Sequence, residues 1–281
     1  MSLTGLADVF SGRPRHPVGA NGQMALSDHL RELRARLLRS AVVLVAAFVV
    51  ALFFYDPYLL DLIAQPYFHA MERLGQKVDS ELVLTGVTTA LLVQLKLCGV
   101  AAVIASSPYW LLQIWGFVLP GLHDNERRWT RVFAAVAGPL FIAGVALGYY
   151  VLPKGIEVLI GFTPLDATNL VEFGDFFSFV VRMLLVFGIA VEIPLFVVML
   201  NLAGVVSGQA LGRHRPWIVI GTFVFAAVAT PSTDPFSMLM LAVPMLVLFV
   251  AAEVIARFVD RRRARRSAGT DQWADDELSP L

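Results

Sequence analysis

Long apolar runs alternate with short charged connections along this chain. Apolar residues dominate near 40–55, 97–122, 132–153, 176–202, 216–231 and 235–256. Several of these runs are long enough to cross the roughly 30 Å hydrocarbon layer as helices. The pattern predicts six transmembrane helices. Before the first run, Leu26, Leu30, Leu33 and Leu37 recur at helical spacing and predict an amphipathic helix at the membrane surface over 26–37. In the connection 55–88, Leu59, Leu60, Leu62 and Ile63 lie between Pro57 and Pro66 and predict short helices along the surface.

The fifth and sixth runs are short. Pro216 to Thr230 gives 15 residues, about 23 Å at the helical rise and less than the hydrocarbon thickness. The two runs meet at Thr230-Pro231-Ser232-Thr233-Asp234-Pro235, a tight turn, so a re-entrant hairpin stays open as a second arrangement. Pro194 and Pro244 each remove a helical hydrogen bond and predict kinks that curve the bundle.

Composition agrees with a membrane protein. Hydrophobic residues make up 57% of 281 with a mean hydropathy of +0.70, more than one soluble core could hide. The formal net charge is zero, yet the loops differ in sign. Arg31, Arg34, Arg36 and Arg39 precede the first run, and Arg127, Arg128 and Arg131 follow the second. Arg213 and Arg215 follow the fourth, and Arg257, Arg261, Arg262, Arg263, Arg265 and Arg266 follow the last. The alternate loops are acidic, so the positive-inside rule predicts both termini in the cytoplasm. Tyr55, Tyr58, Tyr149 and Tyr150 fit anchors at one boundary, and Trp115, Trp129 and Trp217 at the other. Three parts follow: a loose arm over 1–25, a membrane domain over 26–258 and a mobile tail over 259–281.

Four groups of residues carry candidate chemistry. His29-Leu30-Arg31-Glu32-Leu33-Arg34-Ala35-Arg36-Leu37 places a carboxylate among arginines directly before an apolar run. Read plainly, Glu32 and Arg36 are an i,i+4 pair worth a few tenths of a kcal/mol. In the second group, Pro120-Gly121 ends a helix and leaves Glu126, beside Arg127 and Arg128, in a short loop near Phe117. A carboxylate there can take a guanidinium through two parallel hydrogen bonds, a geometry lysine cannot match. The third is Glu192-Ile193-Pro194 inside the fourth run. Arg182 lies ten positions earlier, about 15 Å along the axis, so Glu192 needs a partner from another helix, or water. The fourth is the turn Thr230 to Asp234 with Ser237, which also reads as helix capping and a proline reversal.

These four groups, in this order, resemble TatC, the multi-span core subunit of the twin-arginine protein translocase. The resemblance runs from about Leu26 to Phe258. It rests on the helix His29 to Leu37, Gln113-x-Trp115-x-Phe117-x-x-Pro120-Gly121-Leu122 with Glu126-Arg127-Arg128, Glu192-x-Pro194, Arg215-Pro216, and Thr230-Pro231 with Asp234 and Ser237. It implies an all-α polytopic membrane protein, a glove-shaped six-helix bundle of the bacterial cytoplasmic membrane. Glu32, Arg34, Phe117 and Glu126 would form the site that binds twin-arginine signal peptides of folded cargo. Glu192 would sit in the polar concavity, and Thr230, Asp234 and Ser237 in the region facing single-span TatA- and TatB-type subunits. Self-association is implied as well, and export would draw on the proton gradient. Leu112 and Met238 depart from the family pattern, which often has tyrosine and glutamine there.

No nucleotide loop, zinc helix or serine-hydrolase motif occurs, so neither an enzyme nor a cofactor or metal site is expected, and nucleic acid is not an expected partner. The lone Cys98 reads as a small buried hydrophobe. The alternative reading is a proton-coupled secondary transporter of a small solute using Glu192 and Lys96. It requires solute uptake into vesicles that contain this chain alone. Lys96 otherwise reads as a cation snorkelling to the nearer surface.

Overall fold

The computed structural model describes residues 26–75, 80–118, 127–164, 168–202, 204–230 and 235–270. Glu126 and Asp234 lie outside the described residues, as do the arm 1–25 and the end of the tail. The leading amphipathic segment and the first run are one helix, α1, Leu26–Phe53. A short turn, Tyr55–Leu59, in which Asp56 is extended, leads to the surface helix α2, Leu60–Leu74. Strand β1, Ser80–Val83, precedes α3, Thr89–Ala105, and α4, Ser107–Val118. Helix α5, Arg127–Ile160, is followed by β2, Asn169–Glu172, and α6, Phe173–Leu202. The short α7, Gly208–Arg213, leads into α8, Arg215–Ala229, and α9, Pro235–Thr270.

Helices α1, α5, α6 and α9 are each long and apolar enough to span a membrane. Helices α3 and α4 are together as long and apolar as one more span, bent by 58° between them. Pro108 causes the bend, because its ring cannot donate to the preceding turn. Side chains bond to carbonyls beside the break: Trp110 Nε1 donates to Val103 O at 2.9 Å, and Ser106 Oγ donates at 2.6 Å to Ala102 O, which also accepts the Ser106 amide. Helix α8 is the short apolar segment foreseen for the fifth run, at 15 residues. The sixth run is the apolar first part of a longer helix. It belongs to the 36-residue α9, which runs 12 residues past the boundary placed at 258.

That extension has a physical anchor. Asp260 accepts from Asn201 Nδ2 at 2.9 Å and from the Gly208 amide at 2.6 Å, so the start of the supposed tail is tied to α6 and α7. The two four-residue strands, not foreseen, pair in parallel with Ser80 opposite Asn169 and Val83 opposite Glu172. They clip the connections 55–88 and 154–175 together and start α3 and α6 side by side.

The core centres on α5 and α6, where Phe141, Leu152, Val180, Met183 and Phe187 are buried. Gly144 and Gly188 let these helices touch. A Cβ on Gly144 would stand 2.6 Å from Val191 Cγ2 and 2.7 Å from the Phe187 carbonyl. Gly144→Val therefore lowers stability by about 1–3 kcal/mol through overpacking, seen as a lower unfolding midpoint in detergent. An unchanged midpoint contradicts this packing. Helix α1 instead turns Val42, Val45, Val49 and Val50 outward, as a lipid-facing span does.

Candidate functional site

At the arginine-rich end of the bundle, the first turns of α1 lie against the last turns of α4. The Arg36 guanidinium donates to Glu32 Oε1 from Nε at 3.0 Å and from Nη2 at 2.5 Å, and from Nη1 to the Gln113 carbonyl at 3.3 Å. Both side chains are about four-fifths buried, 18% exposed for Glu32 and 21% for Arg36. Gly116 makes this possible: any Cβ there would collide with Arg36 Nη1. One residue on, the Phe117 ring stacks on His29, with centroids 4.4 Å apart and planes within 17°. Glu32 and Phe117, far apart in sequence, therefore belong to one patch, with His29, Arg36, Gln113 and Gly116 around them.

Arg34 does not join that patch. It lies two residues after Glu32, about 200° around the helix, and is exposed on the other side. Glu126, outside the described residues, directly precedes Arg127, the first residue of α5.

Glu192 on α6 has both carboxylate oxygens buried with no hydrogen bond among the described residues. Trp115 of α4 is the neighbour. Its buried indole N–H faces the carboxylate without closing a well-formed bond, and its ring lies 5.8 Å from Phe196. Trp115 was expected to anchor the chain at the membrane boundary. At 7% exposure it is a core residue instead, because the bend before α4 turns its face inward. Trp217, by contrast, is 72% exposed.

Thr230 and Ser237 flank the turn between α8 and α9, and both are buried. Thr230 Oγ1 donates back to Ala226 O at 2.9 Å, and Ser237 Oγ lies against Gly155 of α5. Their hydroxyls thus point into the chain. A surface there is made by neighbours such as Val228, Leu239 and Val243, all exposed.

One constellation was missed in the sequence. Glu253 of α9 is nearly buried and binds Arg215 of α8 through both oxygens, Nε to Oε2 at 2.6 Å and Nη2 to Oε1 at 2.8 Å. Arg257 adds a third contact at 2.7 Å. A carboxylate within an apolar run was the available signal. Among the described residues, no three His, Cys, Asp or Glu side chains come together as a metal would require.

Known proteins resemble this chain in sequence and in fold. The family of the Sec-independent protein translocase protein (TatC) matches residues 28–244. The TatC of Frankia casuarinae is 41% identical over 270 residues, covering 93% of this chain and 74% of that one. That of Corynebacterium kroppenstedtii is 37% identical over 281 residues, covering 93% and 68%. A crystal structure of the twin-arginine translocase receptor TatC superposes with a TM-score of 0.66 at 29% identity, covering 82% of this chain and 98% of that one. A second, in the detergent DDM, gives 0.69 at the same identity. With matches of this extent in sequence and in fold, the chain belongs to the TatC family of Sec-independent protein translocase proteins.

Proposed function

We propose that this chain is the receptor subunit of a twin-arginine translocase, and that Glu32 is one of its guanidinium acceptors. One observation carries the reading: Glu32 already holds a guanidinium, that of Arg36, on the bare backbone of Gly116 beside Phe117. A pocket that fits one planar fork fits another, and lysine cannot reproduce the same contacts. Glu126 supplies the second acceptor. Their negative charge reverses the local field amid clustered arginines, which would otherwise repel an arginine pair.

Arg36 stands in this site as the resident occupant, displaced when a signal peptide docks. Arg34, on the far side of α1, acts on the peptide only through contacts outside this patch. The apolar part of the signal then follows the bundle past Glu192. Single-span TatA- and TatB-type subunits join at the α8–α9 face, copies of the chain associate, and the proton gradient drives the export of folded cargo. The chain itself performs no covalent chemistry. It resides in the bacterial inner membrane with both termini in the cytoplasm.

Peptide binding by Arg36→Gln tests the displacement. The resident pair, its Gln113 contact and its packing together amount to about 1 kcal/mol, so its removal tightens binding of a twin-arginine peptide about fivefold in a titration of the reconstituted chain. Loss of binding in Arg36→Gln would make Arg36 a structural support of the site and overturn displacement.

A further inference from the structure

Two cations lie within the apolar helices with no neutralising partner among the described residues. Lys96 of α3 and Arg182 of α6 are both exposed, and neither has a hydrogen bond or ion pair among the described residues. The strand pair sets these helices parallel and level: β2 runs directly into α6, and a Cβ on Gly174 would stand 3.5 Å from Thr89 Cγ2. Lys96 is seven residues below Thr89 and Arg182 eight below Gly174, so both lie about 10–12 Å down their helices. Seven residues is close to two turns, which returns Lys96 to the side of α3 where Thr89 meets α6. Arg182 stands about 80° around α6 from Gly174, on the exposed side of the same seam.

We propose that Lys96 and Arg182 together bind the phosphate of an anionic phospholipid in the leaflet at the strand end of the bundle. A cation inside a bilayer is costly unless it reaches a counter-charge, and long stems snorkel toward the nearest headgroups. Two stems from adjacent helices at one depth converge on a single headgroup, with arginine supplying a fork and lysine a point charge. The acidic groups of α6 do not take that place. Asp175 is seven residues above Arg182, about 10 Å away along the axis, and Glu192 is ten below it, about 15 Å. Asp175 repels a phosphate from the outer face of α6 and confines it to the groove beside α3. The clustered arginines sit at the opposite end of the bundle, so this site is separate from the peptide patch.

Lys96→Gln/Arg182→Gln, in the full chain, provides the test. The chain is reconstituted in phosphatidylcholine nanodiscs with and without phosphatidylglycerol, and bound lipids are counted by native mass spectrometry after extraction. The parent chain retains at least one more phosphatidylglycerol than the variant, with about 30-fold weaker retention in the variant at roughly a factor of five per cation. Both proteins unfold at the same temperature in phosphatidylcholine alone, which shows that the variant folds. Equal retention of phosphatidylglycerol overturns the site, as does equal rescue by phosphatidylcholine or by free inorganic phosphate. So does protection of Lys96 from amine labelling by an acidic partner helix rather than by lipid.

Discussion

Glu32→Ala and Glu126→Ala each lower crosslinking of a twin-arginine peptide to the reconstituted chain by about 100-fold, whereas Glu192→Ala leaves that crosslinking unchanged. Each carboxylate offers charge-assisted hydrogen bonds of about 1.5–3 kcal/mol, and two lost together at one acceptor remove at least about 3 kcal/mol. That corresponds to roughly two orders of magnitude in affinity. Glu32→Gln shows part of the loss, because an amide still accepts a hydrogen bond without the charge. Glu192, enclosed beside Trp115, makes no hydrogen bond to Glu32 or Arg36, so it can influence steps after docking but not the docking contact itself. Equal crosslinking in both of these variants and the parent chain would exclude Glu32 and Glu126 as the reader.

The second large effect is on stability. Arg215→Ala removes the two-bond partner of Glu253, a carboxylate only 5% exposed, and leaves Arg257 to hold it by one contact. Glu253 is then left shielded from water with one contact, while the exposure of Arg215 itself keeps the loss below that of a pair buried on both sides. The unfolding midpoint in detergent falls accordingly. Proteolysis between α6 and α8 rises, because the short α7 is pinned between the Asp260 and Glu253 contacts. Arg215→Met with Glu253→Leu recovers most of the stability, since an apolar pair there needs no counter-charge. A midpoint within the error of the parent chain for Arg215→Ala would show that the pair contributes nothing.

Much of this architecture is legible in hydropathy, and the gaps have definite causes. The spans at 132–153 and 176–202 mark helices that the structure extends at both ends or at the start, because apolar runs report only the lipid-covered part of a helix. The second crossing begins at Thr89 rather than near 97, because Gln94 and Lys96 interrupt the apolar run although the backbone is already helical. The strands escape notice because four residues such as Ser80–Val83 are too few to show an alternating period. Their pairing also joins segments 89 residues apart.

The candidate site divides along the same line. Glu32 among arginines was visible because its neighbours in sequence are its neighbours on the helix. That Arg36 would reach across to Gln113 and Gly116, 77 and 80 positions away, was not visible. Trp115 reads as a boundary anchor in sequence, which carries its height along the bundle but not the bend before α4, and the structure buries it. The role of Glu253 is not legible in sequence, because its partner Arg215 stands 38 positions earlier and only the packing of α8 on α9 joins them.

The central claim, that Glu32 receives a signal-peptide arginine directly, is tested best by a double-mutant cycle in the reconstituted full chain. The parent chain and Glu32→Gln are each titrated with a twin-arginine peptide and with peptides carrying lysine in place of one arginine or the other. Direct contact predicts a coupling of at least about 1.5 kcal/mol between Glu32 and one of the two arginines, with little penalty for that lysine once Glu32 is gone. Additive losses for both arginines, with no coupling to Glu32, would contradict it.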